Sequence, residues 1–181
     1  EREIPFGKEL WIEQDDFMEE PPKKYFRLFP GNEVRLMGAY FVTCTGCVKD
    51  AEGNVAEIHC TYDPATKNGS GFTARKVKGT IHWVNAETAV KITCRLYENI
   101  VDEEKGKLDA DGNLNLNPNS LTILDNCFAE PVIRDAKAYD SFQFVRNGYF
   151  CADCRDSRPG APVFNRIVSL KSSFRLPSSA T

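Results

Sequence analysis

Seven cysteines are scattered through the chain, and four of them form two pairs with metal-ligand spacing, Cys44-Thr45-Gly46-Cys47 and Cys151-Ala152-Asp153-Cys154. Two such pairs can supply the four thiolates of a structural zinc site, and Gly46 permits the tight turn that brings two sulfurs onto one ion. Both pairs, however, sit in or beside apolar runs that read as strands, Ala39 to Cys44 and Gly148 to Cys151. In an extended strand, residues i and i+3 point to opposite faces. Reduced strand or core cysteines are the favoured reading, with Cys60, Cys94 and Cys127 as buried small hydrophobes. The two histidines, His59 and His82, stand alone in strand-like runs, which suits structural roles. There is no Gly-x-Ser-x-Gly elbow, phosphate-cradling loop or His-Glu-x-x-His helix, so no catalytic constellation is expected. Asp109-Ala-Asp-Gly-Asn113 has the acids of a calcium loop but its glycine two places early, and it reads as an Asp-Gly turn.

The elements that would carry these residues are mostly strands. Glu33 to Leu36 and Tyr40 to Thr43 lead into a turn at Lys49 to Asn54 and a returning arm from Val55 to Tyr62, a hairpin. Lys76 to Trp83 alternates, offering Val77, Ile81 and Trp83 to a core. Asn85 to Ala89 reads as a turn or a single helical turn. Val90 to Tyr97 alternates again, with Val90, Ile92, Cys94 and Leu96 on one face. Ser141 to Val145 and Gly148 to Cys151 flank Arg146-Asn147-Gly148, a compact hairpin with an Asn-Gly signal. Pro162 to Leu170 closes the series. Only Asp15 to Glu20, halted by Pro21-Pro22, has a helix start and stop. Short strands with turn signals roughly every ten residues predict an all-β fold of two small β-barrels with short helical turns. The Gly-rich stretch 66–74 and the acidic, Asn-rich stretch 101–119 are the loops that divide them, and no internal repeat stands out.

At 181 residues the chain is long enough to bury a core, and its 41% hydrophobic and 27% charged residues are those of an ordinary globular protein. No uncharged apolar stretch approaches the roughly 18 residues of a membrane span. The missing initiator Met and signal segment suggest a piece excised from a larger cytoplasmic protein. The net charge of −3 argues against nucleic acid, but its distribution does not. Residues 71–83 hold Arg75, Lys76 and Lys78 without an acid, and residues 143–175 hold six bases against Asp153 and Asp156. These segments can form one positive face.

Several stretches in order resemble the C-terminal anticodon-binding region of glutaminyl-tRNA synthetase. They begin with Phe6-Gly-Lys-Glu-Leu-Trp-Ile-Glu-Gln-Asp-Asp-Phe17, Glu33-Val-Arg-Leu36 and Cys60-Thr-Tyr-Asp63. They continue through Arg75 to Val84, Arg95-Leu-Tyr97, Phe128-Ala-Glu-Pro131, Phe142-Gln-Phe144, Gly148 to Cys151 and Pro162 to Arg166. The likeness covers roughly residues 5–170. It implies a proximal β-barrel from residues 1–70 and 138–176, a distal barrel from 71–137, and a tail at 177–181. The implied partners are the anticodon stem-loop of glutamine tRNA and the parent's catalytic core, with no DNA and no membrane. This stretch needs no cofactor of its own, because the family's ATP-binding signatures are absent from it. The parent would use ATP and Mg to join glutamine to the tRNA.

The resemblance also implies site residues. Arg75 holds the position of the reader of the third anticodon base, a guanine, and Lys76 lies beside it. An arginine fork can pair with guanine O6 and N7 or clasp a phosphate. Gln143 and Arg146 match the polar pair near the middle uracil, whose edge both accepts and donates hydrogen bonds. Val145 stands where an acid can occur, and Gln14 stands where the motif can carry Arg. Tyr40, Phe41, Phe72 and Tyr149 are candidate stacking platforms, with buried barrel aromatics as the commoner case. The alternatives are the same region of a related glutamyl-tRNA synthetase, and a protein-binding β-module held by zinc on Cys44, Cys47, Cys151 and Cys154.

Overall fold

The computed structural model describes residues 3–102 and 104–170. The fold is all-β, with eleven strands in three sheets and three short 3₁₀ helices among the described residues. The contacts divide the chain into two compact units between Glu87 and Thr88.

In the first unit, β2 (Glu33–Leu36), β3 (Phe41–Lys49), β4 (Val55–Asp63) and β5 (Thr80–Ile81) form a sheet in the order β4-β3-β2-β5. β1 (Leu10–Ile12) pairs separately with β6 (Trp83–Asn85). Period-two alternation explains what the large sheet buries. Val34, Leu36, Val42 and Cys44 point into a core completed by Leu28, Ile81 and Trp83. Their neighbours Glu33, Arg35, Phe41 and Thr43 occupy the other face, and the register places Asp63 opposite Phe41. The expected β3–β4 hairpin is present. Its turn is organised by Asp50, whose carboxylate accepts the N–H groups of Glu52 and Asn54 at 2.9 and 2.8 Å.

The second unit is one sheet in the order β8-β7-β11-β10-β9, from β7 (Val90–Tyr97), β8 (Leu121–Ala129), β9 (Ser141–Phe144), β10 (Gly148–Ala152) and β11 (Val163–Val168). The expected alternation of β7 holds. Val90, Ile92 and Cys94 enter a core with Ile133, Phe150 and Phe164, and Leu96 packs at its margin.

Four expectations change. The units divide differently, because β5 and β6 pair back onto β2 and β1, while β11 pairs with both β7 and β10. Residues 80–85 therefore belong with the first unit and 141–168 with the second. No helix spans Asp15 to Glu20. A single turn covers Gln14–Asp16, and Phe17 extends to bridge Leu28 while fully buried Asp16 pairs with Arg27. The strand expected from Lys76 starts only at Thr80. Gly79 is seated on the Phe26 carbonyl, where a Cβ would lie 1.8 Å from the oxygen, and this contact holds the approach irregular. Finally, the β9–β10 turn is centred on Val145-Arg146, with the Asn147 N–H on the Phe144 carbonyl at 2.9 Å, and not on Asn147-Gly148.

Candidate nucleic-acid interface

The polar face of the first sheet carries a developed side-chain arrangement around Arg75. Arg75, which lies before β5, folds back over this face. Its Nε and Nη2 donate to the two carboxylate oxygens of Glu33 at 2.8 and 2.7 Å, and Nη2 also donates to Asp63 at 2.8 Å. The guanidinium lies 5.4 Å from the ring centre of Phe41 and 5.2 Å from that of Phe72, and the two rings meet edge to face. Arg35 stacks on Phe41 as well, at 4.7 Å. Phe41 is itself 1% exposed, so it supports arginines and is closed to a base, while Phe72 is half-buried.

The electrostatics follow from this geometry. The Arg75 hydrogen bonds hold the Glu33 and Asp63 carboxyls below their ordinary range and push the guanidinium up. With both carboxylates depressed, the clamp is complete above the ordinary carboxylate range and opens as acid protonates them. Arg75 and Arg35 over the Phe41 ring balance Glu33 and Asp63, so the cluster is close to neutral and the charge of Arg75 is already met by its two acids. A pocket of about 130 Å³ opens beside it, lined among others by Arg35, Lys67, Asn68 and Phe72. Lys76 is exposed, and Lys78 sits 5.1 Å from the ring centre of Phe26. Gln14 is exposed on its single turn in the same unit.

In the second unit the β9–β10 hairpin gathers Gln143 and Arg146. Gln143 is exposed and directly opposite Tyr149, itself 44% exposed, so an amide and an aromatic ring stand side by side. Arg146 has a φ of +70°, the third-residue conformation of a type II turn. Tyr40 is half-buried, with its ring packed against Phe6 and Tyr62.

The cysteines take other roles. A bulge at Thr45 resets the alternation of β3, so Cys44 and Cys47 both face the core, contrary to the simple strand expectation. Burial pushes the thiol of Cys44 up, whereas Cys60, expected in the core, is exposed opposite it on β4. The second pair surrounds Asp153, which accepts the N–H groups of Arg155 and Asp156 at 2.8 and 2.6 Å and the Asn165 amide at 2.6 Å. Those bonds hold its carboxyl down to about 2. The pair is the flank of an Asp-centred turn. Among the described residues no three His, Cys, Asp or Glu side chains are placed to hold a metal ion.

Glu33 and Asp63 were not singled out from sequence. The signal lay in the alternation of β2 and β4, which puts both acids on the face opposite the core. Nothing local announced that Arg75 would reach back to them.

Two family models match, both described as the anti-codon binding domain of class I (E and Q) tRNA synthetases, over residues 1–63 and 80–153. The chain belongs to this family. Over 96% of its length it is 59% identical to the glutamine--tRNA ligase of Clostridioides difficile, covering 32% of that protein. It is 52% identical to the glutamine--tRNA ligase of Clostridium kluyveri over 98% of its length, and 50% identical to that of Pseudomonas putida over 96%, covering 32% and 31% of them. The chain thus spans about a third of the length of the curated relatives it matches. Among the described residues no helix is long and apolar enough to cross a membrane.

Proposed function

We propose that this chain is the part of a cytoplasmic glutamine-tRNA ligase that grips the anticodon loop of glutamine tRNA, while the parent's catalytic core attaches glutamine with ATP and Mg. The match of both family models to an anticodon-binding description carries the reading. Specific RNA readers bind unstacked loop bases by edge hydrogen bonds and stacking. The two side-chain groups suit that work. Arg75 supplies donors for the third base, and Lys76 supplies a mobile charge for the backbone. Gln143 offers an amide to the middle uracil with Tyr149 beside it as a stacking ring, and Arg146 stands on the same hairpin. Gln14 contributes an uncharged hydrogen-bonding group.

The test is equilibrium binding of the chain to a glutamine-tRNA anticodon stem-loop and to one with the middle uracil replaced. A cognate preference of about tenfold or more is expected, reduced by Gln143→Ala. Equal binding of the two loops by the unsubstituted chain, or an undiminished preference in Gln143→Ala, contradicts readout by Gln143.

A further inference from the structure

We infer that the third anticodon base is read along its Watson–Crick edge by a donor from Arg75 and an acceptor from Asp63 together, with Glu33 as the positioning residue that fixes the guanidinium plane. The inference rests on the proposed role of Arg75 in reading that base.

A guanidinium has five N–H donors. Glu33 takes the side edge, Nε and one proton of Nη2, and Asp63 takes the other Nη2 proton. Among the described residues no acceptor meets Nη1, and the side chain is 41% exposed. Two protons remain on Nη1, of which one points away along the side chain, so the end of the fork presents a single Nη1–H donor immediately beside one acceptor, the Asp63 carboxylate.

That order discriminates between edges. The O6 and N7 edge of guanine is two acceptors, and the second would face the Asp63 carboxylate. The Watson–Crick edge of guanine offers O6 as acceptor followed by N1–H as donor, which matches Nη1–H followed by carboxylate. Adenine presents the reverse, an amino donor followed by the N1 acceptor, and meets like against like on both bonds. The same two acids neutralise the Arg75 guanidinium, so its remaining donor suits a base edge and not a phosphate. The side-on pairing of Nε and Nη2 with the two Glu33 oxygens holds the fork in one plane, which this registry requires.

The experiment measures binding of the chain to anticodon stem-loops carrying guanine, adenine, 7-deazaguanine or 1-methylguanine at the third position. The 7-deaza loop, which lacks N7, is expected to bind within about twofold of guanine. The 1-methyl loop should lose about fivefold or more, the worth of one good base contact. Asp63→Asn should narrow the guanine-to-adenine ratio, because an amide can donate to adenine N1. Glu33→Gln should narrow it too by loosening the fork. A loss of tenfold with 7-deazaguanine, or an unchanged ratio in Asp63→Asn, overturns the inference while leaving Arg75 as a reader. Equal binding of guanine and adenine loops by the unsubstituted chain, or an unchanged ratio in Arg75→Ala, overturns the reading itself. The base-analogue arm needs no variant to fold, and thermal unfolding of each variant identifies any ratio that changes through misfolding.

Discussion

Single residues here are fixed by the hydrogen bonds around them more than by their own type. Asp153 accepts bonds from two backbone N–H groups and the Asn165 amide, and its carboxyl sits near 2 against an ordinary 3.8. A depressed carboxylate contributes stability that is fully present above its unfolded value and is lost as pH falls through the folded one. The second unit should therefore hold this contribution, about 2 kcal/mol, down to about pH 4 and lose it between there and pH 2. Asp153→Ala should destabilise the protein by about 1–3 kcal/mol at neutral pH and flatten the acid limb. Urea unfolding at pH 7 and at pH 3 checks both, and an unaltered acid limb would contradict the assignment.

At the scale of elements, close backbone approach and turn chemistry set where strands begin and end. Gly148 opens β10 with a φ of +145°, and a Cβ there would lie 2.6 Å from the Val168 carbonyl oxygen of β11. Gly148→Ala combines a disfavoured backbone conformation with a backbone clash, and should cost about 2 kcal/mol or more. The expected result is a Tm several degrees lower, with the loss falling on the hairpin that carries Gln143 and Arg146. The turns at Asp50-Ala-Glu-Gly-Asn54 and Asp109-Ala-Asp-Gly-Asn113 are one device used once in each unit. In both, the leading Asp accepts the N–H groups two and four residues on. The first was legible as a hairpin turn because strong strands flank it, while the second was legible only as an Asp-Gly turn. β8 escaped the sequence reading because a bulge opposite β7 breaks its alternation, and six of its nine residues are exposed.

For the whole molecule, mean charge is a poor guide to RNA binding, because cations differ in how far the fold has already neutralised them. Arg75 is held between two carboxylates, and Arg166 is paired with Glu98 at 2.6 Å. Exposed Lys76 has a full charge to offer a phosphate. Lys76→Ala should weaken binding to every anticodon loop alike and reduce the slope of log affinity against log salt by about 0.7. Arg75→Ala should change base preference and leave that slope nearly unaltered. Fluorescence titrations at several salt concentrations separate the two, and equal slope changes would contradict the division of labour.

The sequence by itself determined the all-β class, the strands β2, β4 and β7, and the core positions Ile81, Trp83, Ile92 and Cys94, because each follows from local periodicity and turn residues. It also determined the family, through motifs whose order no local physics requires. Tertiary structure decided what depends on contacts remote in sequence. It joined β5 to β2 and β11 to β7, which redrew the two units. It turned the cysteine pairs into a bulged core strand and an Asp-centred turn. It also brought Glu33, Asp63 and Arg75 into one cluster across 42 and 12 residues of chain. A hydrogen bond between side chains that far apart leaves no periodic trace, since the chain between them is free to return by many routes until the sheet is built.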